Sequence, residues 1–375
     1  MEGTRGEKSH LVASQSFDVR PNSLEVFQQW ISNLLDTFHW KFLFSLSYAQ
    51  WGIKGFIHGG GEGGLMLAMQ SYYYLSQNLP SSTKAHYAAI TWSALGLKPL
   101  WALVMDLLPV SGRKCTPYMI ATTGGAIVVV LLLLTTSPSP QVACAYFFCL
   151  VIQMAWSDIA TESMYTARMK FASPGCSSDL LTYVWSGISL FTIFGVMIAG
   201  PSIDRFGYSA CAAIALPVLL GFLLPLLRGW FLEEPQNPAD KPENLLTSPH
   251  LGYYIMCFVN VLAIFLLDIY AAFGTVKECT TVGLVVLIGL CVSCRLLLPV
   301  AIWKPMIYIM LNAAFHVNIN AAAEYFFIDP KDVYPEGPNF TATFYVAWMG
   351  IVPSVVTLVS AVVLNRYLIQ WTYVQ

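Results

Sequence analysis

Four ionisable side chains stand inside apolar runs and set the chemical question. Lys54 lies in Tyr48–His58 beside Gln50 and Trp51, Lys98 lies between Gly96 and Pro109, and Asp158 and Glu162 sit four residues apart after Trp156. An ionisable group within a membrane span costs about 2.5–3.5 kcal/mol even on mild insertion scales, so it faces a pathway or a partner. On a helix, Asp158 and Glu162 share one face. Two carboxylates held close in a low dielectric repel, so the pair can hold a proton between them, which is the chemistry a proton-coupled process needs. The competing reading makes the same acids part of a closing salt-bridge network. Lys98 is either a cation for an anionic ligand or half of a structural ion pair. Lys54 with Trp51 can hold a flat ring, although Trp51 would serve equally as an interfacial anchor. Asp106, Arg113, Lys114 and Arg168 fall at the rim and suit control of a conformational cycle. Asp268 and Glu324 are further acids with no assigned partner.

The elements that must position these groups are membrane helices. Hydrophobic residues make up 56% of the 375 and charged residues 11%, against about 25% charged in soluble domains. With 19 Lys+Arg against 21 Asp+Glu, there is no basic surplus to recruit nucleic acid. A span needs about 20 mostly apolar residues. About ten are expected, near residues 39–58, 87–109, 117–136, 141–164, 180–200, 208–231, 250–273, 281–301, 303–323 and 341–365. No charge occurs between Lys114 and Asp158, and Thr136-Ser137-Pro138-Ser139-Pro140 divides that stretch into two helices. The expected fold class is therefore all-α, a polytopic transmembrane bundle.

Lysine and arginine set the orientation. Arg113, Lys114, Arg168, Lys170 and Arg228 would share one side with the amino-terminal segment, which places both termini in the cytoplasm. The expected organisation is a cytoplasmic amino-terminal tail at 1–38, without a cleavable signal pattern, then a first six-helix bundle at 39–231. A cytoplasmic linker at 232–249, rich in proline and charge, leads to further helices at 250–375. Several familiar signatures are discounted. Gly59–Gly64 fits G-x-G-x-x-G but has no strand before it, and is expected to be an external loop. Six dispersed histidines and nine scattered cysteines give no metal or redox spacing, the lone Cys291–Cys294 pair included. No nucleophile and base are grouped, so neither an enzyme nor a cofactor is expected. Gly187, Gly195 and Gly200 are spaced for close helix packing.

Lys98-Pro99-Leu100, Asp106-Leu107-Leu108-Pro109, Gly112-Arg113-Lys114 and Pro117-Tyr118 together resemble the signature of the folate-biopterin transporter family, within the major facilitator superfamily. Trp156 to Glu162 with Ala167-Arg168 is similar to that family's acidic fourth helix. Trp303-Lys304-Pro305, Glu324-Tyr325-Phe326 and Gly337-Pro338-Asn339-Phe340 resemble its second half, particularly the kinetoplastid branch. The resemblance implies two bundles rocking about a midplane site, with folate or biopterin as substrate and protons as partner, in a plasma membrane. It implies Lys98 against the folate glutamate tail, and a carboxylate of Asp158 or Glu162 against the pterin N3–H and 2-amino group. S-adenosylmethionine is the alternative solute. Members usually carry more helices after the region matched here, so the second bundle is expected to be incomplete. That leaves three readings: completion by a second copy, a fragment, or a relative that binds without transporting.

Overall fold

The computed structural model describes residues 23–61, 63–235, 251–316 and 320–363, and among these every regular element is helical. The chain opens with α1 (Ser23–Phe38) and α2 (Trp40–Ser47), which passes into a π-helical stretch, π1 (Tyr48–Ile57). Then come α3 (Gly64–Ser76), α4 (Ser81–Gly96), α5 (Lys98–Leu107), α6 (Thr116–Thr135), α7 (Pro140–Met169), α8 (Pro174–Phe206) and α9 (Ser209–Leu227). The expected linker at 232–249 lies outside the described residues from 236 on, and α10 (Leu251–Phe273), α11 (Val276–Leu297), α12 (Val300–Phe315) and α13 (Asn320–Ile328) come next. A second π stretch, π2 (Thr343–Trp348), leads into α14 (Met349–Val363). Eight helices among the described residues are long and apolar enough to cross a membrane.

Local sequence explains where these helices start and stop. Pro117, Pro140 and Pro174 occupy first turns, where proline's missing N–H costs nothing. Ser173 caps α8 by accepting from Cys176 N, and Gly207 ends it at φ 78°. Thr275 and Glu278 form a reciprocal capping box at α11. The α4–α5 break at Leu97 follows from Pro99, which cannot donate into the preceding turn. This span starts at Ser81, earlier than the sequence pattern suggests.

Two of the ten expected spans take another form. The stretch at 39–58 is short α-helix plus π-helix, and its path continues through the glycine turn into α3. Tyr48 packs on Phe222, whereas Tyr73 packs on Tyr208 at the other end of α9. The glycine run is therefore a break inside a span rather than an external loop. Gly59 and Gly64 have φ of 59° and 80°, and a Cβ on either would meet the other's backbone N within 2.5 Å. The stretch at 303–323 is replaced by the 16-residue α12, bounded by Pro299 and ending at Phe315.

One large core runs from α1 to α9, with Phe42, Ile53, Tyr74, Phe147 and Phe222 fully enclosed. Where lipid surrounds a bundle, close packing rather than water exclusion holds helices together. The α8 glycines supply it: a Cβ on Gly187 would collide with the Trp51 indole, one on Gly195 with Phe56 O, and one on Gly200 with Ala342 O. A second, small core joins Met256, Cys294 and Leu298 of α10–α12. This later part meets the first core along α4–α10, α4–α13 and α8–α14.

Candidate functional site

Asp158 lies past the middle of α7, 2% exposed, and is the hub of the site. Lys54 Nζ, from π1, donates to Oδ1 at 2.8 Å and to Oδ2 at 3.0 Å. Lys98 Nζ, from the first residue of α5, donates to Oδ2. Gln50 Nε2 adds a bond to Oδ1 at 3.1 Å and reaches Thr161 Oγ1 at 2.6 Å. Glu162 Oε1 lies 3.9 Å from Lys54 Nζ. Three separate helical segments thus bring Lys54, Lys98, Asp158 and Glu162 to one point. With all four ionised, their charges sum to zero.

The backbone shapes this geometry. A π-helical turn is uncommon and tends to mark functional positions, and π1 carries both Gln50 and Lys54. The Leu97 break puts Lys98 at the head of a new helix, so its long side chain turns toward α7. The burial is uneven: the Lys98 and Glu162 side chains keep 29% and 39% exposure, while Asp158 and Lys54 are buried. The cluster therefore has an inner structural half and an outer half open to a visitor.

Trp51 is not brought to this cluster. Its ring packs on Tyr183 at 4.5 Å and Phe191 at 5.6 Å, and it lines an apolar cavity of about 710 Å³ with Ile31, Leu34, Phe44 and Val218. The ring beside Lys54 is Trp185, 5.1 Å from Nζ. Thr161 and Trp185 are the participants that sequence reasoning missed, and Gln50, noted there as a neighbour of Lys54, binds Asp158 and Thr161. Gln50 precedes Lys54 by four residues and Thr161 follows Asp158 by three, a helical spacing that could have placed both. Trp185 carried no such signal, because it comes from a distant helix.

The four rim residues do not form one network. Lys114 Nζ pairs with Asp106 Oδ1 at 2.9 Å, and the Arg113 backbone closes its turn with Val110. Arg168 Nη2 instead donates to the Phe231 and Leu232 carbonyls, with its guanidinium 3.7 Å from the Phe42 ring centre. Beside them Glu233 caps α6, accepting from the N–H groups of Lys114, Cys115 and Thr116 at 2.7–2.8 Å. All these contacts stay within the first core.

Contacts between α1–α9 and the later segments lie elsewhere. Lys84 Nζ meets Asp329 Oδ1 at 2.7 Å, with side chains 3% and 1% exposed, beneath the Tyr325 ring. Ser81 Oγ also donates to Asp329. Asp204 accepts from the Ala342 and Thr343 N–H groups at 2.9 and 2.8 Å. Ser93 donates to Asp268 at 2.8 Å, and Asn260 donates to Gly96 O at 2.9 Å.

The model of the BT1 family matches residues 59–374. The chain belongs to the BT1 family. The match takes in Lys98, Asp158, Glu162, Trp185 and the Lys84–Asp329 pair, with Lys54 just ahead of it. A protein of Arabidopsis thaliana named probable folate-biopterin transporter 2 is 23% identical over 316 residues, which are 83% of this chain and 53% of that relative. Probable folate-biopterin transporter 4 of the same plant is 24% identical over 165 residues, 42% of this chain and 32% of the relative. The chain spans about half the length of the first of these and less of the second. No solved structure matches it. Family membership and the long apolar helices make this an integral, multi-pass membrane protein.

Proposed function

We propose that the chain carries pteridines, folate or biopterin, across a membrane by alternating access with proton coupling. The observation that carries this reading is the half-open cluster of Lys54, Lys98, Asp158 and Glu162 at one point within the spans. The names of the two Arabidopsis relatives support the substrate class.

Charge balance supplies the coupling. The ionised cluster is neutral, so it has little attraction for an anion. A proton on Glu162, the more exposed acid, leaves one net positive charge beside the half-exposed Lys98. An anionic substrate and a proton then favour each other's binding, and by linkage the effect is reciprocal. In this reading Lys54 and Gln50 hold Asp158 in place while Lys98 meets the carboxylate of a folate tail. Ligand and proton shift the balance between two states only through their different affinities for each.

Lys84–Asp329, Ser81–Asp329 and Asp204 with the start of π2 suit the joint that separates when the far end opens. Asp106, Arg113, Lys114 and Arg168 would set the geometry of the other end, which the positive charges make cytoplasmic. A plasma-membrane location and association with a second copy remain part of this proposal.

The test is uptake of labelled folate and biopterin by cells lacking their own carriers, with and without a proton gradient. Saturable, gradient-dependent uptake is the expected result. Lys98→Ala should weaken folate more than biopterin, and an equal loss for both would remove the tail-reading role. No uptake despite verified insertion would overturn the transport reading.

A further inference from the structure

Trp185 presents a feature that the charged cluster leaves unused. Its indole is 48% exposed although it lies 5.1 Å from the buried Lys54 ammonium. The same ring lines a cavity of about 170 Å³ with Gly59, Gly60, Ser189, Thr192, Ser354 and Thr357. One wall is the glycine break and α8 of the first core, and the other is α14. This lining holds hydroxyls, glycine backbone and the apolar Ile188, Val196 and Pro353, with no charged side chain among the described residues.

That chemistry selects a ligand part. Thr192 Oγ1 donates to Ile188 O at 2.9 Å, Ser189 Oγ to Trp185 O at 3.1 Å and Ser354 Oγ to Gly350 O at 3.1 Å. Each hydroxyl has spent its proton on backbone and keeps lone pairs to accept from a ligand N–H. An uncharged wall offers nothing to a carboxylate, whereas an indole face stacks on any flat ring. The volume is below the roughly 300–1,000 Å³ that encloses a whole drug-sized ligand. It fits one ring system with its tail outside, toward the cluster.

We infer that Trp185 is the stacking platform for the flat, N–H-bearing heterocycle of the substrate, held between the glycine break and α14. The inference rests on the pteridine reading and divides the ligand in two: ring on Trp185, anionic tail on Lys98. A ring so placed touches both walls, so its binding differs between states in which α14 stands nearer to α8 or farther from it. Trp51, whose ring is enclosed by Tyr183, Phe191 and Gly187, takes no part.

The experiment measures equilibrium binding to the purified full chain in lipid nanodiscs. The probes are biopterin, folate and p-aminobenzoylglutamate, a tail fragment without the pteridine. Trp185→Leu should weaken biopterin and folate roughly tenfold or more, the scale of one lost ring–aromatic stack, and leave the fragment unchanged. Trp185→Phe should restore most of the loss, and Lys98→Ala should produce the opposite selectivity. If Trp185→Leu does not fold, Thr357→Val carries the test, with both pteridines weakened severalfold and the fragment not. Unchanged pteridine binding in Trp185→Leu, or in Thr357→Val where that variant decides, overturns the platform while the pteridine reading stands. Equal weakening of all three probes without rescue by phenylalanine also overturns it. A wild-type chain that binds none of the probes overturns the pteridine reading and the platform with it.

Discussion

Two lysine–aspartate pairs in this molecule have nearly the same bond length and opposite surroundings. Lys54–Asp158 closes at 2.8 Å and Lys84–Asp329 at 2.7 Å. At Asp158 the carboxylate also serves Lys98 and Gln50, and the cluster continues to a half-open Lys98 and Glu162. At Asp329 both partners are sealed beneath Tyr325, and the bond joins α4 to the residue that follows α13. The first arrangement has unspent capacity facing outward, which a ligand can use. The second can change only by separating the helices that carry it. Both pairs are themselves buried, so what separates the proposed binding cluster from the proposed joint is the exposure of the neighbouring charges, Lys98 and Glu162, and not the bond.

The largest expected effect comes from removing the hub. Asp158→Ala leaves the buried Lys54 without its carboxylate and Lys98 without its partner, and breaking a buried pair costs about 3–5 kcal/mol. Thermal-shift measurement in detergent should show a steep loss of stability, and wild-type melting would break the view of Asp158 as the hub. Next is the joint. Asp329→Asn should lower stability by less, because the amide oxygen still accepts from Lys84 and the amide NH2 can donate to Ser81 Oγ. It should also increase labelling of a cysteine placed at Ser81 from the far side. The double change Lys84→Met with Asp329→Leu should restore melting toward wild type, since well-packed apolar residues often replace a buried ion pair without loss. Failure to recover would make the joint more like the cluster than the contrast allows.

Glu162→Gln sharpens the cluster side. With Asp158 and both lysines ionised the variant carries one net positive charge, so folate affinity near neutral pH should rise severalfold and its acid stimulation should disappear. Persistent acid stimulation of binding would assign the proton elsewhere. The smallest effect belongs to the exposed rim pair. Lys114→Ala should cost no more than about 1 kcal/mol, as surface ion pairs do, with uptake near wild type. A large loss of uptake there would give Lys114 a greater part in the geometry of the cytoplasmic end than one exposed ion pair supplies.

Much of this architecture was legible because lipid imposes a simple rule. Long apolar runs become helices, as α6 to α11 show, and first-turn prolines mark several of their starts. The exceptions have local causes. Ten residues of π-helix replace α-helix after Ser47, and the glycine run becomes a sharp break because Gly59 and Gly64 approach closer than any side chain permits. For the site, Asp158 and Glu162 were readable from spacing, and Lys54 and Lys98 from the cost of burying a charge. Their union was not, because it depends on the path of π1 and the kink before Pro99. Lys84 and Asp329 lie 245 residues apart, and no spacing rule reaches that far.

The sequence by itself determined a multi-pass helical membrane protein of a recognisable family, and named the four charges within apolar runs that any function must accommodate. Those follow from composition, helical period and the price of charge in lipid, which are properties of single segments. Only the tertiary structure decided that the charges meet around Asp158, that Trp185 rather than Trp51 stands beside Lys54, and that a sealed ion pair links α4 to the end of α13. Each of these is a relation between segments distant in the chain, set by which helix faces pack together.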